Sequence, residues 1–281
     1  GERQANTHTE NEQYSPRTAT LDNGDVVIVW HSYNQDGSGW GVYGQLLNPA
    51  GEKLGDEFLV NTDFTTSDQV YPDVAALDGG GFVVTWECRD GTHGGQSQDV
   101  FAQRYAVNTV NEGLPDESRE AAEVGSEIQV NTITASTQFE AKVTGVDGGG
   151  FAVTWASYSS GGSADGHLYG VAARIFDAGG AGGSELVVNT GANGDQRDPQ
   201  ITTLANGDLM VTWHSADGTD SGDGSSWGIF AQRMDAAGNL LSRDGTAPGA
   251  DEFQINSYAP GEQSNPAVAA LADGGFVTTW V

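Results

Sequence analysis

Short runs of β-branched and aromatic residues recur along the chain, each broken by Gly, Asp, Asn or Ser. "DVVIVW" ends at Trp30, "GFVVTW" at Trp86, "GFAVTW" at Trp155, "DLMVTW" at Trp213 and "GFVTTW" at Trp280. Each follows another apolar run closed by an Asp/Asn-Gly turn: "DNGD", "DGGG", "DGGG", "ANGD" and "ADGG". Glycine takes the positive φ that a tight hairpin needs, so each pair of runs predicts a β-hairpin. A variable loop of Gly, Asp and Ser comes next. It leads to a third run such as "WGVYGQLL" or "WGIFAQRM", a glycine-bearing turn, and a fourth run such as "EFLVN" or "EFQIN". No segment carries a 3.6-residue apolar period of useful length.

Two anchors hold one register. The strand-ending Trp residues step by 56, 69, 58 and 67 residues, and Gln13, Gln69, Gln138, Gln196 and Gln263 step by the same amounts. Asn6, Asn61, Asn131, Asn189 and Asn256 precede them, and Pro follows at Pro16, Pro72, Pro199 and Pro266, with Ala141 in the third unit. The repeats run over approximately 6–60, 61–130, 131–188, 189–255 and 256–281, four complete and a fifth that stops after its second strand. Four-stranded units of this size predict an all-β fold, a β-propeller with one blade per repeat in a single domain. The half repeat leaves an open edge. Ring closure then falls to a missing C-terminal segment or to strand pairing with a neighbouring chain.

The repeat resembles those of large bacterial secreted and surface proteins, including adhesins and proteins with hemolysin-type (RTX) calcium-binding repeats. "QSNPAVAALADGGFVTTW" from Gln263 and "NQDGSGWGVYGQ" from Asn34 carry the resemblance. It implies an extracellular module of a larger protein and says little about activity. The RTX nonapeptide itself is absent.

Charge narrows the partners. The 281 residues hold 39 acidic against 11 basic side chains, a formal net charge of −28. Such a surface repels nucleic acid and anionic membranes and attracts divalent cations. No apolar run is long enough to cross a membrane, so no insertion is expected. The single cysteine, Cys88, rules out an intrachain disulfide.

Candidate chemistry centres on the loops between second and third strands. Asp217, Asp220 and Asp223 stack three carboxylates into "SADGTDSGDGSSW", and Asn34, Asp36 and Ser38 offer a smaller oxygen set. Hard cations take several oxygen ligands, so calcium is the cofactor these loops suggest; the alternative is an Asx-turn. Trp40 and Trp227 stand at the mouths of two such loops, where an aromatic ring beside polar groups can stack on a sugar. No catalytic residue or other cofactor site is assigned. His31 and His214 share a repeat position and form no triad. Arg104, Arg174 and Arg233 share another, which suggests ion pairs between blades. The insertion "PDESREAAE" predicts a short helix. The expected function is therefore an extracellular adhesion or binding module, calcium-dependent and directed at a glycan or cell-surface ligand, with catalysis less favoured. The alternatives are a propeller glycoside hydrolase or lyase, whose unique acids would break the repeat symmetry, and a structural subunit of a surface assembly.

Overall fold

In the computed structural model, residues 2–65, 67–89, 98–110, 118–134, 136–158, 169–190, 194–216, 227–245, 252–257 and 261–281 are described. Blade one is an antiparallel meander of β1 (Gln13–Thr20), β2 (Val26–Tyr33), β3 (Trp40–Leu47) and β4 (Lys53–Leu59). Blade two repeats it with β5 (Gln69–Leu77), β6 (Gly81–Cys88), β7 (Asp99–Val110) and β8 (Ser118–Gln129). Blade three has β9 (Gln138–Val146), β10 (Gly150–Tyr158), β11 (Tyr169–Phe176) and β12 (Leu186–Val187). In blade four, β13 (Gln196–Thr203), β14 (Leu209–Ser215) and β15 (Gly228–Met234) are edged by two short pieces, β16 (Leu240–Leu241) and β17 (Phe253–Gln254). A hairpin of β18 (Ala267–Ala270) and β19 (Phe276–Thr279) begins blade five. The first strands meet in the order β1, β5, β9, β13, β18 and line a central channel. The protein is a β-propeller, as the repeat predicts.

Apolar layers hold the blades together. Val27, Val29, Val42 and Leu46 of blade one meet Phe82, Val84, Trp86 and Phe101 of blade two. Phe151 and Trp155 pack the same way on Val83, Val100 and Ala102, and Leu209 and Trp213 on Ala152, Val171 and Ala173. The Trp-ended strand of one blade thus covers the face of the blade before it. Trp30, Trp86, Trp155 and Trp213 are buried, but Trp280 is 39% exposed. The fifth departs from the other four because its hairpin has no third strand beside it among the described residues.

Buried amides splice each blade to the next. The Nδ2 groups of Asn6, Asn61, Asn189 and Asn256 donate to the Oε1 atoms of Gln13, Gln69, Gln196 and Gln263 at 2.9, 3.0, 3.3 and 3.0 Å. The Oδ1 atoms of Asn61, Asn131, Asn189 and Asn256 accept from the third-strand amides of Val42, Val100, Val171 and Ile229. Asn61, Asn131, Asn189 and Asn256 are thus held at both ends, as a buried polar group must be. Blade three varies the device. Asn131 donates to Asp99 at 2.6 Å instead, and Gln138 Oε1 accepts from Trp155 Nε1 at 2.8 Å.

Two expectations change. Among the described residues the arginine row forms no ion pairs between blades. Arg104 donates to the carbonyls of Ala178 and Gly179 in the next blade, and Arg174 to those of Gly183 and Val130. Only Arg233 meets an acid, Asp208 of its own blade at 2.6 Å. The second change concerns the predicted helix. From Ser118 onward the insertion is strand β8, laddered onto an extended β7, so strand pairing overrides the helix propensity of Glu and Ala. Residues 111–117 lie outside those described, and no helix long and apolar enough to cross a membrane is found among the described residues.

Trp86→Ala removes a fully buried indole from the layer between blades one and two. It should cost about 3–5 kcal/mol. Trp280→Ala should cost well under half of that. Denaturant melts of the two variants check this; equal losses would contradict the layer arrangement.

Candidate functional site

Each inner strand breaks its ladder two residues after its Gln. Ser15, Tyr71, Glu140, Asp198 and Asn265 stand there with φ of 53°, 52°, 58°, 50° and 52°. β1, β5, β9 and β13 all shift register at this bulge. Left-handed backbone costs a non-glycine residue of order 1–3 kcal/mol and persists only where its surroundings impose it. The Pro that follows in four of the five units has no N–H to give the ladder.

The bulge frees a backbone amide, and a neighbouring blade supplies its acceptor. Tyr71 N–H donates to His31 Nδ1 at 3.2 Å, and Glu140 N–H to Glu87 Oε1 at 2.8 Å. His31 and Glu87 both occupy the position after the strand-ending Trp of the preceding blade. Blade three has Ala156 there and offers no acceptor. The amide of Asp198 therefore donates to Glu140 Oε2 at 2.8 Å, the side chain of the preceding bulge residue. This substitution gathers Glu87, Glu140 and Asp198 at one end of the channel. They line a cavity of about 370 Å³ with Arg17, Arg89 and Lys142. Tyr71 and Phe139 contribute its aromatic walls.

The acids are not ordinary carboxylates. Burial pushes Glu140 up to about 7, helped by the charge of Asp198 and by a hydrogen bond between the two side chains. Burial also raises Glu87, against the Glu140 amide and Arg89, which stands 3.5 Å away. Asp73, one blade position further in, is raised by burial despite Lys142, the Val143 amide and Arg17. Two histidines flank the acids. Burial, then Arg89, lowers His31 to about 4. His214 lies 3.2 Å from Asp198 and is lowered by burial, with Asp198 pulling the other way.

An aromatic rim adjoins the cavity. Trp40 packs 5.7 Å from Tyr14, 5.1 Å from Tyr33 and edge-on to His31 at 4.8 Å. Trp227 repeats the last contact with His214 at 4.6 Å. Opposite, Phe139 meets Tyr169 edge-on at 5.4 Å, with the Arg197 guanidinium 3.9 Å over Tyr169. Tyr14 and Tyr71 are 51% and 45% exposed.

Trp40 and Trp227 are rim residues. In the first loop Asn34 N–H donates to Gly39 O at 2.5 Å, and Ser38 N–H to Asp36 Oδ1 at 2.9 Å, so Asp36 caps its own turn. Asp217, Asp220 and Asp223 lie outside the described residues. No group of three metal-ligating side chains occurs among the described residues. Glu87, Glu140 and Asp198 escaped sequence reasoning. Their signal was there: each breaks a repeat column, Gln-plus-two or Trp-plus-one, whose register was already aligned.

Fold and cavity together define a β-propeller with an acid-lined channel site. No family model matches the chain, and no curated protein matches it. Solved structures do. An α-L-arabinofuranosidase of Fusarium graminearum superposes with a TM-score of 0.58 at 11% identity, covering 95% of this chain and 74% of that one. An α-L-arabinanase of Penicillium chrysogenum complexed with arabinobiose gives 0.50 at 14% identity, with 95% and 88% covered. The sialidase Hz136 gives 0.50 at 11% identity, with 88% and 47% covered. These neighbours are propeller glycoside hydrolases. They correct the expectation of an adhesion module and favour its enzymatic alternative.

The histidines report on the acids. Below pH 6.5 the unfolded chain takes up a proton that folded His31 refuses until about pH 4, so stability should fall across that window. Asp198→Asn removes the charge that raises His214, so the His214 midpoint should drop further while His31 stays put. Proton NMR titration of the ring C–H signals checks both; an unmoved His214 would contradict the contact.

Proposed function

We propose that the chain is a propeller glycoside hydrolase acting on a polymeric glycan. One observation carries this reading. Three carboxyl groups that break the repeat symmetry meet in one channel cavity, and one of them holds its proton near pH 7. Glycoside hydrolysis needs two carboxyl groups in unlike environments, one to protonate the leaving oxygen and one to attack or to activate water. Glu140 is suited to the first role, since burial and Asp198 raise it to about 7, where a carboxyl group still carries a proton part of the time at neutral pH. Glu87, across the Glu140 amide, is the second carboxyl group. The aromatic walls support a sugar substrate, because rings stack on apolar C–H faces and leave the hydroxyls to polar partners. The neighbours with arabinobiose bound are consistent with a carbohydrate ligand. An extracellular setting, where polymeric glycans are met, belongs to the same proposal.

Arabinan and a panel of neutral and acidic polysaccharides should reveal reducing-end release. Glu140→Gln, Glu87→Gln and Asp198→Asn should each lower kcat by about 10²–10⁴-fold while the protein still melts cooperatively. Release that survives all three substitutions, or no release from any glycan, would overturn the reading.

A further inference from the structure

The proposed cavity collects positive charge in a chain that has little. Only 11 of the 281 residues are Lys or Arg, against 39 acids, yet three of those 11 line this one cavity. Arg17 comes from blade one, Arg89 from the end of blade two's second strand, and Lys142 from blade three. Arg17 and Lys142 share a repeat column, four residues after Gln, where blade two has Asp73, blade four Gln200 and blade five Ala267. The cations therefore gather on the side of the channel that carries Glu87 and Glu140.

The two arginines form ion pairs with acids nearby, but loose ones. Arg89 stands 3.5 Å from Glu87, and Arg17 3.8 Å from Asp73. Both exceed the roughly 2.7–2.9 Å of a charge-assisted hydrogen bond. Arg17 Nη1 and Lys142 Nζ instead reach the carbonyls just before them, Pro16 at 3.0 Å and Ala141 at 3.1 Å. A guanidinium has five donors and an ammonium three, so each keeps donors for a ligand. Burial also raises Asp73, Glu87 and Glu140 toward their neutral forms.

We infer that this cavity takes an anionic sugar, whose carboxylate or sulfate group is held by Arg17, Arg89 and Lys142. The inference rests on the hydrolase reading of the same cavity and names its substrate class. The cations set which sugar enters, and the −28 surface leaves the channel mouth as the place where an anion is welcome.

The test is calorimetric binding to the full chain carrying Glu140→Gln, with Asp198→Asn in its place should the first variant not fold. Three probes of matched length are titrated: an oligogalacturonate, a sulfated galactan oligosaccharide and a neutral galactan oligosaccharide. At least one anionic probe should bind about tenfold or more tighter than the neutral one, the scale of one hydrogen bond to a charged group. The tighter of the two tells carboxylate from sulfate. The preference should shrink with added salt. Arg17→Gln and Arg89→Gln should each reduce it with little change in Tm. Equal or tighter binding of the neutral probe, binding of none, or a preference that survives both arginine substitutions would overturn the inference. The unsubstituted protein, assayed on the same glycans, separates the two readings. Cleavage of neutral galactan with no anion preference overturns this inference alone, and anion binding without cleavage of any glycan overturns the hydrolase reading alone.

Discussion

One left-handed residue in each inner strand governs what this ring can do. The bulge turns a backbone amide away from the ladder, and that amide must find an acceptor across the blade boundary. Where the preceding blade offers His31 or Glu87, the amide is satisfied by a side chain that is itself titratable. Where it offers Ala156, the acceptor becomes Glu140, and Glu140 and Asp198 are drawn into contact. A structural requirement, the pairing of a buried amide, thus creates the charge cluster at the channel. The cluster then alters its own chemistry, because two carboxyl groups so placed cannot both ionise freely.

The stability that tolerates this arrangement comes from elsewhere. Indoles at Trp86, Trp155 and Trp213 are fully buried between blades, and Asn–Gln clasps join blade one to blade two and blade three to blade four. Large apolar layers can carry strain of a few kcal/mol per bulge without the ring opening. The division of labour is spatial. Residues identical in each repeat lie between blades, and residues that differ lie at the channel end, where Ser15, Tyr71, Glu140, Asp198 and Asn265 fill one geometric position with five chemistries.

That division also explains what could be read from the chain alone. Hairpin turns, strand order, the Trp layers and the amide clasps all depend on residues that recur, and repetition made them visible. The site depends on residues that do not recur. Attention went to "SADGTDSGDGSSW" because acids cluster there along the sequence, whereas Glu87, Glu140 and Asp198 are separated by dozens of residues and meet only through the ring. Ser15 through Asn265 gave no hint of left-handed backbone, since four of them precede Pro, a setting that ordinarily favours extended conformations. The strand at Ser118–Gln129 hid behind helix-favouring Glu and Ala because its residues lack the β-branched and aromatic run that marks the other strands. Trp40 was legible as a rim aromatic, but its stacking on Tyr14 needed two strands to be placed.

The central claim is that burial and the charge of Asp198 raise Glu140 at the channel end. Carbon-13 NMR titration of the glutamate side-chain carboxyls measures this without any ligand. One glutamate should titrate near 7, and its resonance should vanish in Glu140→Gln and fall toward the ordinary range in Asp198→Asn. If Glu140 instead titrates in the ordinary carboxylate range, the channel cluster is not the site described.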